Sequence, residues 1–342
     1  MPDEFCVSLN FMPAFFTKHT GATYGEPYYF DPEARREIQR TEGRFLFDIL
    51  GRYGVGSTDP EPSPNIFIQP VDLIMGTQGA EWKCPPNATL ESWGTPWAGL
   101  GPEQIQRIDP QDAAHHPAIE AVVSQYVPVQ RMYGDRADIL GTKSGVMNVH
   151  TPYTTAHQLC GEDLFVLMLT DPAGARVVFD KVWQIYEAVF ERVCRVTGAR
   201  LTGVNLGDCS ASLLSADLYR NVVLPVNQRI AGAFGSASYH SCGASSHLLT
   251  PFAELGSLDG IELGPGTDLR AAVGGLDARH WRPLVDPTTM REGDRESVAR
   301  LVGSILDAVC TANEVTLCAW SFDRDTPIEN VATLYDTVGR GP

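Results

Sequence analysis

The chain has 342 residues, 43% of them hydrophobic, and a formal net charge of −16. That apolar content builds a large core and excludes a disordered chain, and no apolar run reaches the roughly 18 residues of a membrane span. The acidic balance repels phosphate backbones, so nucleic acid is not an expected partner.

The opening residues, MPDEFCVSLNFMPAFF, lack the basic start, long apolar stretch and small-residue cleavage site of a secretory signal, which predicts a cytoplasmic protein. After a first strand-like run, His19 and the segment Thr20 to Glu26 read as a loop fit to cover a substrate. Asp31-Pro32-Glu33 then opens a helix through about Gly51, with proline early and acids in the first turn. A Gly/Pro-rich loop at 54–64 precedes a predicted strand at 66–75 and a second loop at 76–102. That second loop carries Trp82, Trp93 and Trp97, either an aromatic wall for a flat ligand or plain cover for a barrel mouth.

Further strands are predicted at 145–149, 202–206, 236–240, 258–262, 282–285 and 315–319. Between them, Asp171-Pro172 opens a helix to about Thr197, whose Val178, Val182, Ile185, Val189 and Val193 recur at helical spacing. Ser215 caps a helix running towards Ile230, and residues 292–312 form another. Strands alternating with helices imply a parallel sheet. Seven or eight such units predict an α/β fold, a (β/α)₈ TIM barrel, with residues 1–342 as a single domain and an extended N-terminal region.

The eight cysteines do not read as a disulfide framework in a chain of this length. Most are expected to be buried small hydrophobes, Cys209 among them. His240 and Cys242 end one predicted strand and Cys318 ends another. In a barrel, strand ends converge on the active-site face, and two thiolates with an imidazole suit Zn²⁺ with one position open. Asp208 ends a strand in Gly-Asp-Cys, as an acid orienting substrate or the metal-bound group, or as a cap for the following turn. Glu262 ends the strand after His-x-Cys, where it reaches the metal, hydrogen-bonds a ligating imidazole, or is simply a solvated acid.

Residues 240–269, HSCGASSHLLTPFAELGSLDGIELGPGTDL, resemble the C-terminal half of the uroporphyrinogen decarboxylase superfamily. Asp286-Pro287, Thr326 to Val331, Pro152 to Glu162, and Gly207-Asp208 with Ser215 and Pro225 fit the same pattern. The resemblance is good over residues 140–340 and thin over 1–140. It implies a (β/α)₈ barrel and, from His-x-Cys with a distant cysteine, the zinc methyltransferase branch, with His240, Cys242 and Cys318 as ligands. His150 and His157 flank Thr151-Pro152-Tyr153, which resembles the family's active-site strand end, so His150 and Tyr153 are expected near substrate. The metal-free decarboxylase branch carries an arginine-rich N-terminal signature. Here that region reads Asn10 to Phe16, and no arginine precedes Arg35, so a polycarboxylate would lack its clamp.

The resemblance therefore implies a methyl group moving between a small methyl donor or methylcobalamin and a thiol or corrinoid acceptor, with zinc activating the thiol or the leaving heteroatom. No Asp-x-His-x-x-Gly corrinoid signature occurs, so cobalamin is expected on a separate corrinoid protein or free in solution. A homodimer is a further implication. A decarboxylase-like lyase and a zinc-dependent sulfur-transfer or C–S cleaving enzyme are the alternatives.

Overall fold

The computed structural model describes residues 6–339. Its strands are β1 (Cys6–Phe11), β2 (Asn65–Ile66), β3 (Glu81–Lys83), β4 (Glu91–Trp93), β5 (Asp138–Ile139), β6 (Val146–His150), β7 (Gly203–Gly207), β8 (Ser236–Ser241), β9 (Leu258–Leu263), β10 (Ala278–Pro283) and β11 (Glu314–Phe322). Seven form one parallel sheet in the order β1-β11-β10-β9-β8-β7-β6. β2 and β5 make a separate parallel pair, and β3 and β4 an antiparallel hairpin. The architecture is the expected α/β one with a parallel sheet. Among the described residues no ladder joins the β2–β5 pair to either edge of the seven-stranded sheet.

Local chemistry sets the helices. Asp31 caps Pro32–Leu50 by accepting from the Glu33 amide at 2.9 Å, and Asp171 caps Pro172–Thr197 by accepting from Gly174 at 3.0 Å. The predicted valine and isoleucine stripe of the long helix is buried throughout. Ser215 caps as expected, accepting from Leu218 at 3.2 Å.

Three expectations are corrected. The strand predicted at 66–75 ends at Ile66, and Pro70–Thr77 is a helix, because proline at the first helical position fits a helix start. The helix predicted at 292–312 runs only over Arg295–Ala308, where Asp294 caps it by accepting from Ser297 at 2.8 Å, and Glu292 instead ends a separate helix, Pro287–Glu292. His19 lies not in a loop but in the helix Pro13–Thr20.

Alternation along the strands sorts the side chains. Val204, Leu206, Tyr239 and Ile261 are buried on the helix-facing side, within the core. Asn205, Gly207, Ser238, His240, Gly260, Glu262, His280 and Arg282 face the other way and line a cavity of about 890 Å³. Asn65, Phe67, Gln69 and Leu140, around the β2–β5 pair, form its opposite wall. No helix among the described residues is long and apolar enough to cross a membrane.

Candidate metal centre

Strand register brings the site residues into rows. Across β6, β7, β8, β9 and β10 the paired positions are His150, Gly207, His240, Glu262 and Arg282. Gly207 carries no side chain, so His150 and His240 share the space in front of it. The row two residues further along holds Cys209, Cys242, Gly264, Leu284 and Cys318, the last fixed by a bridge between Leu284 and Cys318.

His240 is the hub. Its Nδ1 is hydrogen-bonded to Glu262 Oε1, and its Nε2 lies 3.5 Å from Cys209 Sγ. Ligand atoms of Cys209, His240 and Cys242 all lie within 4.8 Å of one another. Burial pulls the imidazole pKa down, but hydrogen bonds to Cys242 and Glu262 outweigh it and hold His240 up at about 9. The Cys209 thiol donates to Cys242, and with His240 this brings the Cys242 thiol well below its ordinary range. Cys209, the donor to a thiolate in a buried setting, is pushed up. These directions favour a Cys242 thiolate beside a protonated His240 ring and a neutral Cys209 thiol, with Nδ1 oriented by Glu262. Two sulfurs and a nitrogen at this spacing are a donor set for a divalent metal of borderline softness.

Glu262 is 3% exposed and also faces Arg282, whose Nε lies 3.6 Å from Oε2. The Arg282 guanidinium sits over the Trp320 ring at 5.8 Å, and Trp320 in turn stacks on His240 at 6.1 Å. Cys318 is fully buried; its thiol reaches the Thr316 carbonyl at 3.6 Å and neighbours Glu262 and Arg282. Burial pushes that thiol up to about 12. Cys318 therefore shares Glu262 with His240 but stands outside the group that Cys209, His240 and Cys242 form.

The remaining sequence-derived residues separate. Glu262 and His150 line the cavity. Burial, then the nearby His240, lowers His150 to about 4, so it is neutral at pH 7. Asp208 does not line the cavity. It is fully buried on the helix-facing side, accepting from Thr151 and Thr154 at 2.9 Å each, Tyr239 at 2.6 Å and Asn227 at 3.3 Å. Tyr153 is buried too, its hydroxyl donating to the Ser210 carbonyl at 3.2 Å. His19 packs between Phe15 and Phe45, away from the cavity lining. None of Trp82, Trp93 and Trp97 lines the cavity; the tryptophan there is Trp320.

Cys209 is the member that sequence reasoning set aside as a packed thiol. The pairing of Gly207 with His240 carries over to Cys209 beside Cys242, two residues on in each strand. Gly264 matters for the same strand ends, because a Cβ there would stand 1.9 Å from the Cys242 carbonyl oxygen.

A methylated-thiol–coenzyme M methyltransferase of Methanosarcina mazei is 29% identical over 192 residues, 53% of this chain and 48% of that protein. The match thus spans about half the length of that curated relative. A solved methyltransferase structure from Methanosarcina mazei superposes with a TM-score of 0.61 over 98% of this chain and 93% of its own, at 16% identity, and so shares the fold. The family model for uroporphyrinogen decarboxylase (URO-D) matches residues 100–340, well over half of the sequence. On that match, the chain belongs to the uroporphyrinogen decarboxylase family.

Proposed function

We propose that the protein is a zinc-dependent methyltransferase, moving a methyl group between a small methyl donor or methylcobalamin and a thiol or corrinoid acceptor. The observation that carries this is the cluster of His240, Cys242 and a second sulfur, Cys209, beside a cavity of about 890 Å³. The donor set fits Zn²⁺: one thiolate is already favoured, and Glu262 holds His240 Nδ1 so that Nε2 faces the sulfurs. His240 and Cys242, with Cys318 completing the family pattern, are the proposed ligands. When bound, zinc supplies deprotonation of a thiol near neutral pH, or polarisation of a leaving heteroatom.

The chain's own residues do the rest. Glu262 orients the imidazole and is itself steadied by Arg282. Trp320 covers the imidazole face and limits water there. His150, neutral and beside His240, offers a hydrogen bond to substrate without adding charge. Asp208 anchors the turn behind the site and acts as a positioning residue rather than one that meets substrate. The β2–β5 pair stands in the place of the strand that would close the barrel, and its neighbours Phe67 and Gln69 would shape acceptor choice. A corrinoid would arrive on a partner protein or free in solution, and the relative's acceptor, coenzyme M, is the first thiol to try.

The decarboxylase reading is less well supported. Arg282 is the one Lys or Arg among the described residues lining the cavity, and it already faces Glu262. A substrate with many carboxylates would meet too few cations there.

The test is zinc content with a methyl-transfer assay. Purified protein should hold about one zinc per chain and demethylate methylcobalamin in the presence of coenzyme M or a related thiol, followed by the cobalamin spectrum. A folded protein that takes up no zinc when zinc is supplied would overturn the reading.

A further inference from the structure

Cys209 is a sulfur that the His-x-Cys and distant-cysteine pattern does not include: it lines the cavity with Cys242, while Cys318 is buried beside Glu262. We propose that Cys209 is itself a ligand of the metal, beside His240 and Cys242; this rests on the metal-dependent reading above and adds a residue to it. Three features carry it.

The first is register. β7 and β8 pair Gly207 with His240, so the two chains leave the sheet side by side with Cys209 next to Cys242. Adjacent strands are about 4.8 Å apart, so matched side chains on one face are neighbours. The second is direction. Cys209 Sγ points at His240 Nε2, the nitrogen that Glu262 leaves available, at 3.5 Å, and the ligand atoms of Cys209, His240 and Cys242 all lie within 4.8 Å of one another. The third is fixation. The Asp208 amide donates to the His240 carbonyl at 2.7 Å, and the Asp208 side chain is held by four donors behind the turn. Cys209 is therefore delivered by a pinned backbone, not by a mobile loop. With Cys318 the protein would offer three sulfurs and one nitrogen, a more electron-rich shell than two sulfurs and one nitrogen give.

Cobalt(II) substitution reads this directly, because the near-ultraviolet sulfur-to-cobalt charge-transfer band grows with the number of bound thiolates. We would compare native protein, Cys209→Ser, Cys242→Ser, and Cys194→Ser as a control away from the cluster, and titrate zinc against a chromophoric chelator. Cys209→Ser should lose the same share of the band as Cys242→Ser and at least about tenfold in zinc affinity, the lower range seen when groups around a metal are removed. Cys194→Ser should match native protein. Cys209→Asp, which restores an anionic donor, should regain zinc affinity while the band stays low, and this separates ligand loss from misfolding. A full band and native zinc affinity in Cys209→Ser, with both reduced in Cys242→Ser, would overturn the proposal and leave the metal reading standing. Failure of native protein to bind either metal would overturn both.

Discussion

Two polar clusters lie back to back at the ends of β7 and β8, and they differ in how completely their hydrogen bonds are used. Around Asp208, four side-chain donors meet one carboxylate, and Tyr219 extends the chain through the Tyr239 hydroxyl at 2.7 Å. Burial raises the Asp208 pKa, and those donors partly offset it. Around His240, one imidazole, two sulfurs and Glu262 face a cavity, and the sulfurs lie against each other and the ring. A saturated cluster is a scaffold, since any further ligand would have to break bonds already made. A cluster of good metal donors with spare lone pairs beside open space is built to receive something.

The sharpest way to break this contrast is Cys242→Ser. It should lower methyl transfer by more than about a hundredfold, beyond what changes around a ligand cause, while the melting temperature of metal-free protein barely moves. A large loss of metal-free stability would make the cluster a scaffold like its neighbour. Glu262→Gln comes next: freeing His240 Nδ1 from its carboxylate should weaken zinc binding by about tenfold to a hundredfold, measured by chelator competition.

Asp208→Asn tests the other side. Replacing an acceptor-only group by one that also donates leaves some of the four donors poorly paired, for a loss of about 2–4 kcal/mol in denaturant unfolding. The zinc affinity of the folded fraction should change far less than for Glu262→Gln.

The smallest effect is expected at a third polar site. Burial pushes Asp72 up to about 6, with Ser92 hydrogen bonds opposing. The folded state thus holds this proton more tightly than the unfolded chain, so the Asp72 contribution is most favourable below pH 3.8 and is lost as pH rises towards about 6. Asp72→Asn should remove that slope and add on the order of 1–2 kcal/mol at pH 7. The check is the difference between the two proteins' stability curves from pH 3 to pH 8. Parallel curves would mean that Asp72 ionises normally.

The sequence reached parts of this site and not others for physical reasons. His-x-Cys is visible because two lumen-facing positions on one strand are two residues apart. Cys209 was set aside because its importance depends on pairing between strands, which spacing within a strand does not contain. Asp208 was placed near the chemistry by its depth along β7, yet alternation already points it elsewhere, since it shares parity with Val204 and Leu206. His19 and the loop tryptophans are read from residue type alone; tertiary packing uses His19, Trp82 and Trp97 as aromatic filling and leaves Trp93 exposed. The helices read best because caps and apolar stripes are local signals. The missing ladder between β2–β5 and the large sheet depends on contacts between distant segments, so no window of sequence holds it.

Gly264 has a consequence for how firmly the strand ends around Cys242 are held together. The Cys242 carbonyl lies where a side chain at 264 would stand, so a residue with a Cβ there would force the two strand ends apart. Backbone fixed during folding has no ordering cost left to meet when a ligand arrives. A slim residue just past the end of β9, with no donor atom of its own, thereby decides how closely the backbone around Cys242 can approach.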